Sequence, residues 1–260
     1  MTIDMDEAME DEFDTVAEWT AQVAADLGPD YFIPAGCRGS GQPAALDWLL
    51  AGLAPQPRDL MFDVGAGMGG PAAYARERTG ARLVLAEPEP GACRAAAALF
   101  DLPVVEADAT ALPFADEQAG LAWCLGVLCT ATGPEVQLAM LRELRRIVRP
   151  AGRIGLLVYL AVTGQLDDPP EGNHFPSSGQ LNDLIGAAGL EVTAAADSAG
   201  MPPPSPDWHD RTAQVERELE RRCGQTPQVR AAHEQSHRIG RLLHAGQLTA
   251  QVILLRRPWE

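Results

Sequence analysis

The residues with the most chemical content lie in one string, Asp63-Val64-Gly65-Ala66-Gly67-Met68-Gly69-Gly70. It follows an apolar run that reads as a strand and opens a stretch that reads as a helix. That is the setting in which a glycine-rich loop brings a ligand against the main chain. Gly65, Gly67 and Gly70 satisfy G-x-G-x-x-G, so the loop permits a dinucleotide. Asp63 with Gly65, Gly67 and Gly69 also satisfies D-x-G-x-G-x-G, the S-adenosylmethionine version of the pattern. Charge separates the two. A pyrophosphate favours a helix amino terminus with no carboxylate beside it. S-adenosylmethionine carries an ammonium and a sulfonium, for which Asp63 is a favourable neighbour. The plain alternative for Asp63 is a carboxylate that caps the turn.

Two more acids follow at informative positions. Glu87, before Pro88, ends the second apolar run, 20 residues beyond Gly67. A carboxylate there accepts hydrogen bonds from both ribose hydroxyls, in either cofactor. Asp108 and Ala109 stand just after the third run, where an acid or its neighbouring backbone meets an adenine amino group. Read without the loop upstream, these would be an exposed strand-end acid and a loop residue.

Methyl transfer from a sulfonium is an in-line displacement that positioning alone can accelerate, and a base helps only where an acceptor proton must leave. The candidates for such a group are histidines. His174, in Gly172-Asn173-His174-Phe175-Pro176, follows the fifth strand, whose carboxyl end faces the crevice in open sheets. His209 sits beside Trp208, a side chain suited to wall an apolar substrate. His233, His237 and His244 lie on a polar helical segment and read as a solvated or half-buried face. No N-P-P-Y-type tetrad and no Asp/Asp/Asn metal set is present, and no metal is expected.

Alternating elements must position these residues. Apolar runs at 59–64, 82–87, 103–106, 120–126 and 153–160 are separated by helical stretches at about 70–79, 90–100 and 135–148. That rhythm predicts βαβ units and a parallel sheet covered on both faces. Ahead of it, residues 5–27 show helical apolar spacing among acids, 31–41 reads as a loop, and 42–53 as a second helix. After it come a polar loop over 161–180, a short helix over 178–189, a strand over 190–197, the proline cluster 201–206, a helical hairpin (about 207–223 and 227–245) and a last strand over 248–256. The proline cluster reads as a linker.

Composition narrows the classes. The 260 residues are 46% hydrophobic, enough for one well-buried domain. The formal charge is -16, and ten acids without a single arginine precede Arg38. Phosphate-dependent partners, nucleic acid and anionic membrane, are therefore disfavoured. All 20 basic residues are arginine, so lysine Schiff bases and a Tyr-x-x-x-Lys pair are impossible. The run of arginines from Arg142 to Arg153 reads as a solvated helix face. Five cysteines without a C-x-x-C pair, and an opening without a basic or apolar signal region, predict reduced thiols in a cytoplasmic chain. Oligomeric state is not legible.

Over Leu60 to Tyr159 the chain resembles the class I, Rossmann-like S-adenosylmethionine-dependent methyltransferases, in their small-molecule branch. The strings EADATALPF (106–114) and LRELRRIVRPAGRIGLLVYL (141–160) are especially similar. The resemblance implies an α/β fold: a doubly wound, seven-stranded, mostly parallel sheet whose last strand is antiparallel, with helical lid and cap segments. It implies that Asp63, Gly65, Ala66 and Gly67 hold the methionine end, Glu87 and Pro88 the ribose, and Asp108 and Ala109 the adenine. Leu125, at the end of the fourth strand, would lie under the sulfonium. Two departures stand in structural positions: Gly120 where an Asp is common, and Pro150-Ala151-Gly152 where Pro-Gly-Gly is usual.

The expectation is a methyltransferase acting on oxygen or nitrogen of a small-molecule acceptor, with a lid over 1–56, the cofactor core over 57–160 and cap inserts over 161–260. Arginine-only, alanine-rich composition associates it with high-GC genomes and their secondary metabolism. The alternatives are an NAD(P)-dependent oxidoreductase and a non-catalytic S-adenosylmethionine-binding protein.

Overall fold

The structure, a computed structural model, describes residues 12–39 and 41–259. Seven strands form one sheet: β1 (Leu60–Val64), β2 (Arg82–Glu87), β3 (Val104–Glu106), β4 (Ala119–Leu125), β5 (Val148–Ala161), β6 (Glu191–Asp197) and β7 (Leu248–Arg256). Their order is β3-β2-β1-β4-β5-β7-β6. All neighbours are parallel except the pairs that β7 makes with β5 and β6. The order reverses between β1 and β4, and the crevice beyond the strand ends at that reversal is where open α/β sheets take ligands.

Nine helices surround the sheet among the described residues: α1 (Ala17–Leu27), α2 (Phe32–Gly36), α3 (Pro43–Leu53), α4 (Gly70–Thr79), α5 (Pro90–Phe100), α6 (Pro134–Ile147), α7 (Ser178–Ala187), α8 (Pro206–Cys223) and α9 (Pro227–His244). Pro43, Pro90, Pro134, Pro206 and Pro227 each occupy the first turn, where a missing N–H costs nothing and φ is already helical. Ser205 and Thr226 cap α8 and α9, accepting from the Trp208 and Val229 amides. Their caps fix how this hairpin enters the fold.

Side chains alternate along the buried strands. Met61 of β1 and Leu121 and Trp123 of β4 face a layer made by α3, α4 and α5. Phe62, Val64, Ala122 and Cys124 face the layer made by α6 and α7. Phe114 of the EADATALPF string stacks on Phe62 at 4.1 Å and 13°.

Two segments differ from expectation. Within 5–27, a π-helical turn (Glu12–Val16) precedes α1, and residues before 12 lie outside the described residues. The stretch read as a loop contains a 3-10 turn (Pro29–Tyr31) and α2. Pro34 and Gly36 weigh against helix in an isolated peptide, but here the segment is held by packing. Gly36 lies so close to Gly70 that a Cβ on either would meet the other's backbone, at 2.8 and 2.2 Å. The chain ahead of the core also binds α5: Asp14 accepts from the Gly91 N–H, and Arg94 pairs with Glu18.

Candidate active site

The loop after β1 runs through three left-handed glycines, Gly65 (φ 70°), Gly67 (φ 52°) and Gly69 (φ 79°). Their surroundings differ. A Cβ on Gly65 would stand 2.3 Å from Val127 and one on Gly69 3.0 Å from Leu85, while one on Gly67 would meet nothing within 4 Å. Gly67 is therefore where main chain is bared to an incoming group.

Asp63 is 2% exposed, at the end of β1 and paired in register with Trp123 of β4. Its Oδ2 and the Trp123 indole nitrogen are both buried without a hydrogen-bond partner. Burial pushes the Asp63 carboxyl up to about 7. The nearby indole opposes that rise and the Glu87 charge adds to it. A buried acceptor left open in this way calls for a partner.

Glu87 is 5% exposed. Its Oε2 accepts from the Gly67 N–H at 2.7 Å and its Oε1 from the Glu89 N–H at 3.2 Å. Burial raises its pKa, and these two backbone donors pull it back. Each oxygen keeps a further lone pair, enough for two ribose hydroxyls. Asp108 is exposed and accepts from the Thr110 amide and hydroxyl through Oδ1, while Ala109 is buried. The loop beyond is tied down by Arg146, which donates to the Leu112 and Phe114 carbonyls and pairs with Glu143. Arg146 is thus a loop anchor, although its segment reads as a solvated face. Leu125 is buried at the end of β4. The donors and acceptors around this crevice fit an ammonium and a ribose, two of the groups that S-adenosylmethionine carries. Pro88 follows Glu87 at the mouth of α5.

Beside the crevice lies a cavity of about 770 Å³. Its walls come from separate segments: Thr20 of α1, Arg38 and Gly39 after α2, Tyr159 of β5, Trp208 and Val215 of α8, and His233 and His237 of α9. The loop carrying Gly39 and Gly41 covers the strand ends. A Cβ on Gly126 would stand 2.7 Å from the Gly39 carbonyl, and one on Gly41 2.6 Å from Leu157. A second cavity of about 600 Å³ shares Pro34 and Trp208 with the first and is walled by Pro202, Pro203 and Pro204, so the proline cluster is more than a linker.

The histidines fall differently from their sequence reading. His209 is exposed in the first turn of α8, and His174 is half-buried with its amide on the Cys129 carbonyl. Neither is among the residues lining the large cavity, whereas Trp208, His233 and His237 are. Helical spacing marked 233 and 237 as one face but carried no signal of what that face meets. Gln137, fully buried, joins the Leu128 and His174 carbonyls and so holds the loop after β4 to the one after β5. Cys124 and Cys129 are buried free thiols, Cys129 with its sulfur on the Gly126 carbonyl.

Comparison with known proteins bears on this geometry. Residues 62–156 match the family model described as a methyltransferase domain. Over those residues the chain is similar to methyltransferase domains, and its seven-stranded sheet has the Rossmann-like methyltransferase fold. A cyclopropane synthase from Mycobacterium tuberculosis superposes with a TM-score of 0.68 at 15% identity, over 91% of this chain and 97% of that one. The [4+2]-cyclase SpnF gives 0.63 at 18% identity, over 83% and 80%. Geranyl diphosphate C-methyltransferase from Streptomyces coelicolor, solved with Mg²⁺, geranyl diphosphate and S-adenosylhomocysteine, gives 0.58 at 15% identity, over 82% and 76%. These likenesses are of fold. No curated protein sequence matches the chain. Among the described residues no helix is long and apolar enough to cross a membrane.

Proposed function

We propose that the chain methylates oxygen or nitrogen of a small, apolar-bodied metabolite held in the 770 Å³ cavity. The observation that carries this reading is the cavity's position. The loop that forms part of its wall, at Gly39 and Gly41, also rests on Gly126, just beyond β4, and on Leu157 of β5, the register partner of Leu125. In this reading that shared loop is what separates an acceptor in the cavity from the strand end at Leu125.

In this reading Asp63 takes the ammonium, Gly65, Ala66 and Gly67 line the methionine end, Glu87 and Pro88 meet the ribose, and Asp108 with Ala109 meets the adenine. Leu125 lies under the sulfonium. Bound S-adenosylmethionine supplies a methyl group activated for in-line displacement. The protein's share is orientation and exclusion of water. Residues 1–56 act as a lid, 57–160 as the cofactor core, and the inserts within 161–260 as the acceptor cap. The geranyl diphosphate enzyme acts by name on a molecule with an apolar body, which supports an acceptor of that kind.

The test is a melting comparison with S-adenosylhomocysteine, S-adenosylmethionine and NAD, followed by assay for S-adenosylhomocysteine released on adding acceptors. A ligand at about a hundred times its Kd stabilises by roughly 2.7 kcal/mol, a shift on the order of 5–10 °C. Shifts with the adenosyl compounds and acceptor-dependent release are expected. A second reading, cofactor bound without transfer, takes its support from a neighbour named as a [4+2]-cyclase. Conversion of an added molecule with no release of S-adenosylhomocysteine would favour it.

A further inference from the structure

The acceptor cavity contains an acid–base pair. Resting on the reading of that cavity as the acceptor site, we infer that His233 is the proton-accepting catalytic residue, that Glu220 positions it, and that the acceptor is an aromatic hydroxyl.

His233 of α9 and Glu220 of α8 both line the cavity, with His233 Nδ1 3.5 Å from Glu220 Oε2. A carboxylate facing Nδ1, here at ion-pair rather than hydrogen-bond length and with both side chains partly exposed, favours the tautomer that carries its proton there and leaves Nε2 as the accepting nitrogen. It also stabilises the imidazolium that forms after proton transfer, the role an acid plays behind a catalytic histidine. The His237 ring lies roughly parallel to His233, with centroids 6.5 Å apart, one helical turn along the same face. The cavity wall also includes Trp208, Tyr159 and Val215, two aromatic rings and a branched apolar chain, beside the charged Arg38, Glu216 and Arg217.

The acidity of the groups selects the acceptor. Free imidazole titrates near ~6.5 and a phenol near ~10, a gap that general-base catalysis spans. An alkanol, close to water at ~15.7, gives up its proton far less readily, so a phenol is the acceptor that this base serves best. The step balances. The acceptor oxygen forms a bond to the methyl carbon as the carbon–sulfur bond breaks, with its electron pair passing to sulfur and neutralising the sulfonium. The hydroxyl proton passes to His233 Nε2, and the resulting imidazolium faces the Glu220 carboxylate. A methyl ether and S-adenosylhomocysteine leave, and the proton follows to solvent.

The test uses the full chain with S-adenosylmethionine and two phenols of similar shape at pH 8: 4-methoxyphenol, which is protonated there, and 4-nitrophenol, which is largely ionised. H233A should lose about 100-fold or more in turnover of 4-methoxyphenol and far less with 4-nitrophenol, which needs no base. Added imidazole should restore part of the first activity. E220Q should give a smaller loss of the same pattern, with E220D recovering most of it. Independently of turnover, the His233 imidazole signals, assigned by their absence in H233A, should move when 4-methoxyphenol is added to the S-adenosylhomocysteine complex. Melting temperature and S-adenosylhomocysteine affinity should stay unchanged.

Equal losses with both phenols, or a loss that follows H237N instead, would overturn the assignment. Transfer to 4-methoxyphenethylamine but to neither phenol would overturn the hydroxyl acceptor and leave methyl transfer standing. Absence of transfer to all three, with S-adenosylhomocysteine bound, would overturn this inference together with the proposed acceptor class.

Discussion

The Gly67 amide donates to Glu87 Oε2 at 2.7 Å, joining the barest point of the glycine loop to the buried acid that ends β2. One bond thus sets the loop's height over the sheet and orients the carboxylate. The Glu89 amide holds the other oxygen. For Glu87→Ala we expect a fall in S-adenosylhomocysteine affinity of roughly 2–3 kcal/mol, on the order of 30- to 150-fold, as charged hydrogen bonds of this kind are lost. Calorimetric titration checks it. An unchanged affinity would remove Glu87 from the site.

Asp63 predicts opposite pH trends for stability and for binding. Its folded pKa is raised to about 7 by burial, against about 3.9 in an unfolded chain. Between these values the native state holds a proton that the unfolded state has released, so this residue makes stability fall as pH rises from about 4 to about 7 and level off above. An ammonium requires the ionised form, so cofactor affinity should rise with pH, at most tenfold per unit, and flatten above about 7. D63N should abolish both slopes. Urea midpoints and S-adenosylhomocysteine titrations across pH 5–8 measure them.

The loop glycines should separate folding from binding. G67A carries only the left-handed strain, about 1–2 kcal/mol, because nothing stands within 4 Å of the added methyl. It should fold and bind S-adenosylhomocysteine poorly. G65A drives a methyl to 2.3 Å from Val127, adding about 1–3 kcal/mol of overpacking to the same strain. V127A should recover part of that loss. Denaturant unfolding with and without ligand distinguishes the pair, and equal stabilities for G65A and G67A would contradict the packing argument.

Ala151 stands at φ 59° in the turn that begins at Pro150, with its amide on the Arg257 carbonyl. Glycine relieves a left-handed strain of roughly 1–2 kcal/mol, less about 0.4–1 kcal/mol for the freer unfolded chain. A151G should therefore be more stable by about 0.5–1 kcal/mol, a rise of roughly 1–4 °C in Tm. A lower Tm would show that the turn is not strained.

The glycine-loop crevice is legible in the sequence because it is local. Asp63, Gly65, Gly67 and Glu87 fall within one strand–loop–helix–strand unit, where apolar runs set the strands and backbone geometry demands glycine. The strands from Leu60 to Arg256 follow their apolar runs closely, since a sheet buried on both faces leaves few other ways to satisfy its backbone. Helix was missed at Phe32–Gly36, where packing against Gly70 outweighs weak propensity.

The sequence by itself determined the βαβ order, the glycine loop with its acids, and the antiparallel close of the sheet through a family likeness. The tertiary structure alone decided the cavity wall. Thr20, Tyr159, Trp208 and His233 meet around one cavity from four distant stretches of chain. Periodicity tells which residues share a helix face, as with His233 and His237, but what that face meets is fixed by packing between remote elements. Here α8 and α9 set that face, with His233 half-buried and His237 exposed, along the side of a cavity.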